Sequence, residues 1–139
     1  TIEAQILALI KDMQLAEESS LIIITHDLGV IAEMADQVIV MYVGKVVESG
    51  STREVLEDPR HPYTSALLQS VPHIGRRERL KPISGSVPNL YALPEGCVFA
   101  PRCPRAMDLC RAEEPPEFTI AEGRRVKCWL LRDQATGAA

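Results

Sequence analysis

The first apolar residues of the chain recur at helical spacing. Polar residues fill one face of this helical pattern. The other face carries five apolar residues: Ile2, Ile6, Leu9, Ile10 and Met13. This pattern predicts an amphipathic helix of about four turns. A second short helix is predicted over 28–35, with Asp27 as its N-cap.

The following apolar segments are short and β-branched. Leu21–Thr25 shows no alternation of apolar and polar residues, which favours a strand buried on both faces of a parallel sheet. Gln37–Tyr42 is predicted as a second buried strand and Lys45–Glu48 as a third. Val43-Gly44 between them predicts a tight reversal.

Two helix signals follow the hairpin. Ser51 and Glu54 have the S-x-x-E spacing of a capping box, which predicts a short helix over 52–57. The apolar residues of 63–71 predict one more helix, which ends at Pro72 because proline does not continue a helix.

Proline content changes at this point. Eight of the ten prolines lie at Pro72 or beyond, and regular periodicity fades there. We therefore predict a domain boundary, with one domain over 1–72 and a small irregular module over 73–139. A module with so little apolar material needs covalent or metal cross-links.

Composition narrows the functional class. Hydrophobic residues make up 46% of the 139 residues, and the net charge is -4. A globular core is therefore expected, whereas a nucleic-acid binder, which usually carries excess basic charge, is not. The chain shows no secretory signal and begins inside a helical pattern, so we expect a fragment of a longer protein.

All four cysteines lie near the end of the chain. Cys97, Cys103, Cys110 and Cys128 have the spacing C-x5-C-x6-C-x17-C, without the C-x-x-C pairs of a zinc ribbon. Without a secretory signal, a metal site is favoured over disulfides. Four thiolates suit an iron–sulfur cluster or zinc, and the residues by themselves leave both open, along with free or disulfide-bonded thiols.

Several motifs resemble one family in the expected order. Leu21–Leu28 (LIIITHDL) resembles the switch-histidine region of ABC ATPases, and Ala35–Met41 is similar to the next core strand. Gly44–Gly50 resembles the hairpin that closes the nucleotide-binding domain, and Ser51–Glu57 the short helix after it.

The remaining motifs resemble a narrower group. His61–Thr64 and Leu67–Pro72 are similar to the C-terminal extension of peptide and nickel importers, and Gly85–Pro88 and Pro94–Cys103 continue the likeness. Nearly the whole chain therefore resembles the C-terminal portion of the ATP-binding subunit of an oligopeptide/dipeptide (or nickel) ABC importer.

The resemblance implies an α/β fold: the C-terminal part of a P-loop-type ABC nucleotide-binding domain, then a small cysteine-containing module. It implies that His26 is catalytic in the intact protein, where it hydrogen-bonds the γ-phosphate of ATP or the attacking water, with Mg²⁺ present. The P-loop, the signature loop and the Asp-Glu strand are absent from these residues. The chain by itself is therefore not expected to hydrolyse ATP.

The resemblance also implies a [4Fe–4S] cluster at Cys97, Cys103, Cys110 and Cys128, with zinc as the alternative. The implied partners are a second ATP-binding subunit, transmembrane permease subunits and, indirectly, a solute-binding protein, at the cytoplasmic side of the membrane. No nucleic-acid partner is expected. The competing hypothesis is a stand-alone iron–sulfur or zinc-binding interaction module without ATPase activity.

Overall fold

The computed structural model describes residues 2–70 and 83–134, which fold as two compact units within 1–36 and 37–139. In the first unit, helix α1 spans Ile2–Ala16 and helix α2 spans Leu28–Met34. Both helices were predicted. Asp27 is the N-cap of α2, and its carboxylate accepts the N–H groups of Gly29 and Val30.

The strand predicted for Leu21–Thr25 is wrong for this structure. The segment has no regular secondary structure, and Ile22 and Ile24 are 90% and 97% exposed. A strand needs neighbouring strands for its backbone N–H and C=O groups. The described part of this unit, 2–36, contains only the two helices, so no partner strand is at hand.

The second unit contains a four-stranded sheet. Its strands are β1 (Gln37–Tyr42), β2 (Lys45–Ser51), β3 (Phe118–Ala121) and β4 (Arg124–Val126), in the spatial order β1-β2-β4-β3. All three pairings are antiparallel. The parallel sheet expected from the sequence is therefore absent from the described residues. β3 and β4 belong to the segment that was predicted to be irregular.

The β1–β2 hairpin confirms the predicted reversal. Val43 and Gly44 both have positive φ, 44° and 79°, as a tight two-residue hairpin turn requires. β1 is not buried on both faces as predicted. Its residues alternate between exposed and buried, with Val38, Val40 and Tyr42 turned inward. The opposite face of the strand is open.

Short helices complete the second unit. Helix α3 spans Thr52–Glu57 and starts at the predicted capping box. Helix α4 spans Pro62–Gln69, and its predicted end at Val71 lies outside the described residues. Helix α5 spans Asp108–Ala112, and single 3₁₀ turns occupy Ala100–Arg102 and Trp129–Leu131.

A buried ion pair joins β4 to the hairpin. Glu48 of β2 is fully buried, and its carboxylate lies 3.5 Å from the Arg124 guanidinium of β4, whose side chain is 6% exposed. The same carboxylate accepts the N–H groups of Arg60 and His61, each at 2.9 Å. Arg124 in turn donates to the backbone carbonyl oxygens at the end of α3.

The predicted domain boundary between Pro72 and His73 falls outside the described residues and stays a prediction. Strands from both sides of it nevertheless share one sheet, because β2 pairs with β4. The fold class is confirmed at a coarser level as a mixed α/β fold, here with an antiparallel sheet.

Candidate functional site

The second unit brings the four cysteines together around one narrow cavity. All four are free thiols, and two of them are buried. Four different segments supply them: the loop before the first 3₁₀ turn, the end of that turn, helix α5, and the residue two positions after β4. The cysteines that these segments supply are, in the same order, Cys97, Cys103, Cys110 and Cys128.

Backbone contacts hold the first and third cysteines side by side. The Cys97 N–H donates to the Cys110 carbonyl oxygen at 2.8 Å. Gly96 makes this approach possible, because a Cβ at that position would lie 2.3 Å from the same carbonyl oxygen. Any residue larger than glycine would push the loop away from α5.

The other two cysteines are positioned by regular structure. The 3₁₀ turn places Cys103, whose N–H donates to the Ala100 carbonyl oxygen at 3.3 Å. Cys128 follows β4, and the Lys127 N–H beside it donates to the Val47 carbonyl oxygen of β2 at 2.9 Å. Strand pairing with the hairpin therefore sets the position of the last thiol.

Burial dominates the electrostatics of the thiols. It raises the pKa of Cys97 and Cys103, and it raises the pKa of Cys128 to about 11. Repulsion from the neighbouring cysteines adds to each of these pKa shifts, which shows that the four thiols share one electrostatic environment. Near neutral pH, thiolates here require a bound cation.

Apolar and basic side chains surround the cavity. Phe99, Leu130 and Trp129 line it, as does Arg105, whose charge favours anionic sulfur. Arg102 next to Cys103 has a different role. Its guanidinium donates to the carbonyl oxygens of Ile83 and Ser84 and to the Tyr42 hydroxyl, so it anchors a neighbouring segment.

The donor type of the cavity suits a metal group. Four thiols line it, and thiolates are ligands of both zinc and iron–sulfur clusters. Within residues 2–70 and 83–134, however, no group of three or more Cys, His, Asp or Glu side chains has the arrangement needed to hold a metal ion.

His26 lies in the other unit, in a bend after the exposed 21–25 segment. Its neighbour Asp27 is held by a backbone N–H bond to the Thr25 hydroxyl at 3.0 Å and caps α2. The sequence predicted His26 at the carboxyl end of a strand, and the structure has no strand there.

His61 gains importance from the structure. Its Nδ1 accepts the Tyr63 N–H at 3.0 Å, which makes it the N-cap of α4. The sequence indicated a helix start at His61-Pro62, but not that the imidazole is buried beside Phe99 and lines the cysteine cavity. Burial lowers the pKa of His61 to about 4, so the ring is neutral at pH 7.

We expect acid to destabilise the second unit through His61. The pKa is about 4 folded and roughly 6.5 unfolded, so the unfolded state binds the extra proton between these values. Stability should fall by about 3 kcal/mol as the pH drops through this window, and should be insensitive to this group above it. His61→Asn keeps a capping acceptor but does not titrate. Urea unfolding at several pH values should show a flatter profile for this variant, and parallel profiles would contradict the prediction.

Comparison with known proteins places these features in a family. The family described as "Oligopeptide/dipeptide transporter, C-terminal region" matches residues 47–110. The dipeptide transport ATP-binding protein DppD of Escherichia coli (strain K12) is 48% identical over 136 residues, which are 97% of this chain and 42% of that protein. The oligopeptide transport ATP-binding protein AppD of Bacillus subtilis (strain 168) is 49% identical over 135 residues, 96% of this chain and 41% of that protein.

These matches confirm the predicted resemblance to the C-terminal portion of the ATP-binding subunit of an oligopeptide or dipeptide ABC importer. The chain spans about two-fifths of the length of the curated relatives it matches.

Proposed function

We propose that the chain is the C-terminal part of a subunit that hydrolyses ATP to drive peptide import. The observation that carries this is its similarity, over 97% of its length, to a dipeptide transport ATP-binding protein. A second ATP-binding subunit and transmembrane permease subunits would complete the transporter, with this subunit peripheral at the cytoplasmic side. Among the described residues, no helix has the length and apolar character to cross a bilayer.

The exposed 21–25 segment supports this proposal. Ile22 and Ile24 are almost fully exposed, although burying each would contribute about 1.5–3 kcal/mol. Such a segment calls for a covering partner. We propose that in the longer protein it becomes a strand of the core sheet and presents His26 at its carboxyl end, where ligands bind in open α/β sheets.

His26→Ala tests this role in the full-length subunit assembled with its permease. Loss of a group that stabilises charge in the transition state should lower kcat for ATP hydrolysis by about 100-fold or more. ATP affinity should change only a few-fold, because binding rests mainly on the phosphate-binding loop and magnesium.

His73→Ala is the matched control, a second histidine to which we assign no role. It should retain full activity. Equal kcat for the His26 and His73 variants would show that the imidazole at position 26 takes no part in hydrolysis.

We further propose that Cys97, Cys103, Cys110 and Cys128 hold a [4Fe–4S] cluster. In such a cluster each thiolate binds its own iron, so the thiols stand farther apart than around zinc, where every sulfur lies about 2.3 Å from one ion. Four cysteines that line one cavity supply the ligand number and ligand type that the cluster needs. When bound, it would supply a covalent cross-link among four segments and neutralise the buried thiolates.

Metal and acid-labile sulfide analysis of anaerobically purified protein tests this assignment. We expect about four iron and about four sulfide per chain. Cys128→Ser should lose most of both, whereas Ser70→Ala, a similarly small change outside the cavity, should keep them. One zinc per chain without sulfide would rule out the cluster.

A stand-alone metal-binding module is not favoured. The similarity to ATP-binding subunits covers nearly the whole chain, including the first unit, which holds none of the cysteines.

A further inference from the structure

His61 lines the cysteine cavity together with all four cysteines, although it is not one of the proposed ligands. Its side chain is 1% exposed, and its ring centroid lies 5.8 Å from that of Phe99. Its backbone N–H donates to the buried Glu48 carboxylate at 2.9 Å. The imidazole is therefore held in a fixed position at the wall of the cavity.

The hydrogen bond at Nδ1 determines where the ring carries its proton. Nδ1 of His61 accepts the Tyr63 N–H at 3.0 Å, and a ring nitrogen that accepts a hydrogen bond is not protonated. The proton of this neutral imidazole is therefore on Nε2, which is a donor. Within residues 2–70 and 83–134, Nε2 has no hydrogen-bond partner.

Sulfur is the side-chain acceptor that the cavity offers to this donor. Apart from His61 and the cysteines, the described lining consists of apolar side chains and two donors, Arg105 and Trp129. Guanidinium and indole groups donate hydrogen bonds and do not accept them, and the Trp129 N–H already donates to the Glu113 carbonyl oxygen at 3.0 Å. A buried N–H group is normally hydrogen-bonded, so a sulfur acceptor suits Nε2.

We propose that His61 positions and tunes the [4Fe–4S] cluster by donating its Nε2–H to an anionic sulfur there. This inference rests on the proposed cluster. A hydrogen bond to anionic sulfur stabilises the reduced cluster more than the oxidised one, because the reduced cluster is more negative. The contact therefore raises the reduction potential. One edge of the ring caps α4, and the other edge binds the cluster.

Two substitutions separate the two edges of the ring. In His61→Asn, the side-chain oxygen replaces Nδ1 as the capping acceptor, but the side chain is too short to replace the Nε2 donor. In His61→Gln, the amide nitrogen replaces the Nε2 donor, and the capping acceptor is lost. The first variant therefore tests the cluster contact, and the second is its matched control.

The measurement is a potentiometric titration of the anaerobically purified chain with dithionite, followed by EPR of the reduced cluster. His61→Asn should lower the equilibrium constant for reduction by about threefold to tenfold, a shift of about 30–60 mV to more negative potential for a one-electron couple. His61→Gln should keep the potential of the parent chain. The midpoints of urea unfolding should show the opposite order, since only His61→Gln loses the helix cap. A purely structural role would change the potential most in the less stable variant.

A second measurement detects the contact directly. Pulsed EPR of the reduced parent chain, labelled with ¹⁵N-histidine, should show a ¹⁵N coupling to the cluster. The coupling should disappear in labelled His61→Gln, which retains the other two histidines of the chain. This comparison decides even if His61→Asn does not fold.

The outcomes distinguish this role from the cluster itself. Equal potentials for the parent and His61→Asn, or no ¹⁵N coupling in the parent, would overturn the role of His61 and leave the cluster in place. A parent chain without iron and sulfide would overturn the cluster and this role together.

Discussion

Arg124→Met is expected to lower the free energy of unfolding of the second unit by about 3–5 kcal/mol. The substitution leaves the Glu48 carboxylate fully buried without its cation. It also removes the donors to the backbone carbonyl oxygens of Glu54 and Asp58. The loss therefore separates β4 from both β2 and the end of α3.

Arg125→Met is the matched control. Arg125 is the next residue along β4, but its side chain is largely exposed and forms a surface pair with Glu117, so about 0.5 kcal/mol or less should be lost. Urea unfolding monitored by the fluorescence of Trp129, the single tryptophan, measures both variants. Similar losses for the two substitutions would mean that the buried ion pair contributes no more to stability than an exposed pair.

Glu48→Gln probes the same network from the other side. The N–H groups of Arg60 and His61 bind different oxygens of the carboxylate, and the amide replaces one of these oxygens with an NH2 group, which cannot accept. It also leaves Arg124 without its buried counter-charge. Destabilisation comparable to that of Arg124→Met is expected, and the two effects should be strongly non-additive in the double variant.

Phe99→Ala should cost about 3–5 kcal/mol, the second large effect. The Phe99 ring is 1% exposed, and its centroid lies 5.3 Å from that of Tyr42 and 5.4 Å from that of Tyr63. Removing it leaves a cavity where the hairpin and α4 meet the loop that carries Cys97. Because Phe99 lies between Cys97 and Cys103 in the sequence and lines the same cavity, the change should also weaken retention of the proposed cluster.

Tyr91→Ala provides the comparison, since Tyr91 is an aromatic residue of similar size that is 99% exposed. Its loss should leave the midpoint of urea unfolding unchanged within about 0.5 kcal/mol. A Phe99 variant as stable as the Tyr91 variant would show that the contacts of Phe99 with Tyr42 and Tyr63 do not hold the loop that carries Cys97 against the hairpin.

Local patterns predicted local structure well. The Asp27 N-cap, the Val43-Gly44 reversal and the Ser51 capping box all form as expected. Each depends on residues within a few positions of one another, so the sequence contains all the interacting groups. A metal site at the four cysteines was predicted from the residues, and a [4Fe–4S] cluster there from the family resemblance; both stay predictions, while the structure places all four cysteines around one cavity.

Pairing between strands that are distant in the sequence was not predicted correctly. The prediction for Leu21–Thr25 assumed a sheet whose other strands are not among the described residues, and the segment is exposed. Conversely, Phe118–Ala121 and Arg124–Val126 looked irregular but form strands. They are too short to show a period, and β4 is stabilised by β2, which lies more than 70 residues earlier in the chain.

By itself, the sequence determined the starts of helices α2 and α3, the hairpin turn and the family resemblance, because these depend on neighbouring residues and on motifs read in order. Only the tertiary structure decided which distant residues meet, such as Glu48 with Arg124 and His61 with Phe99. The reason is physical. Burial and strand register arise from the whole packed unit, and no short window of sequence contains both partners of such a contact.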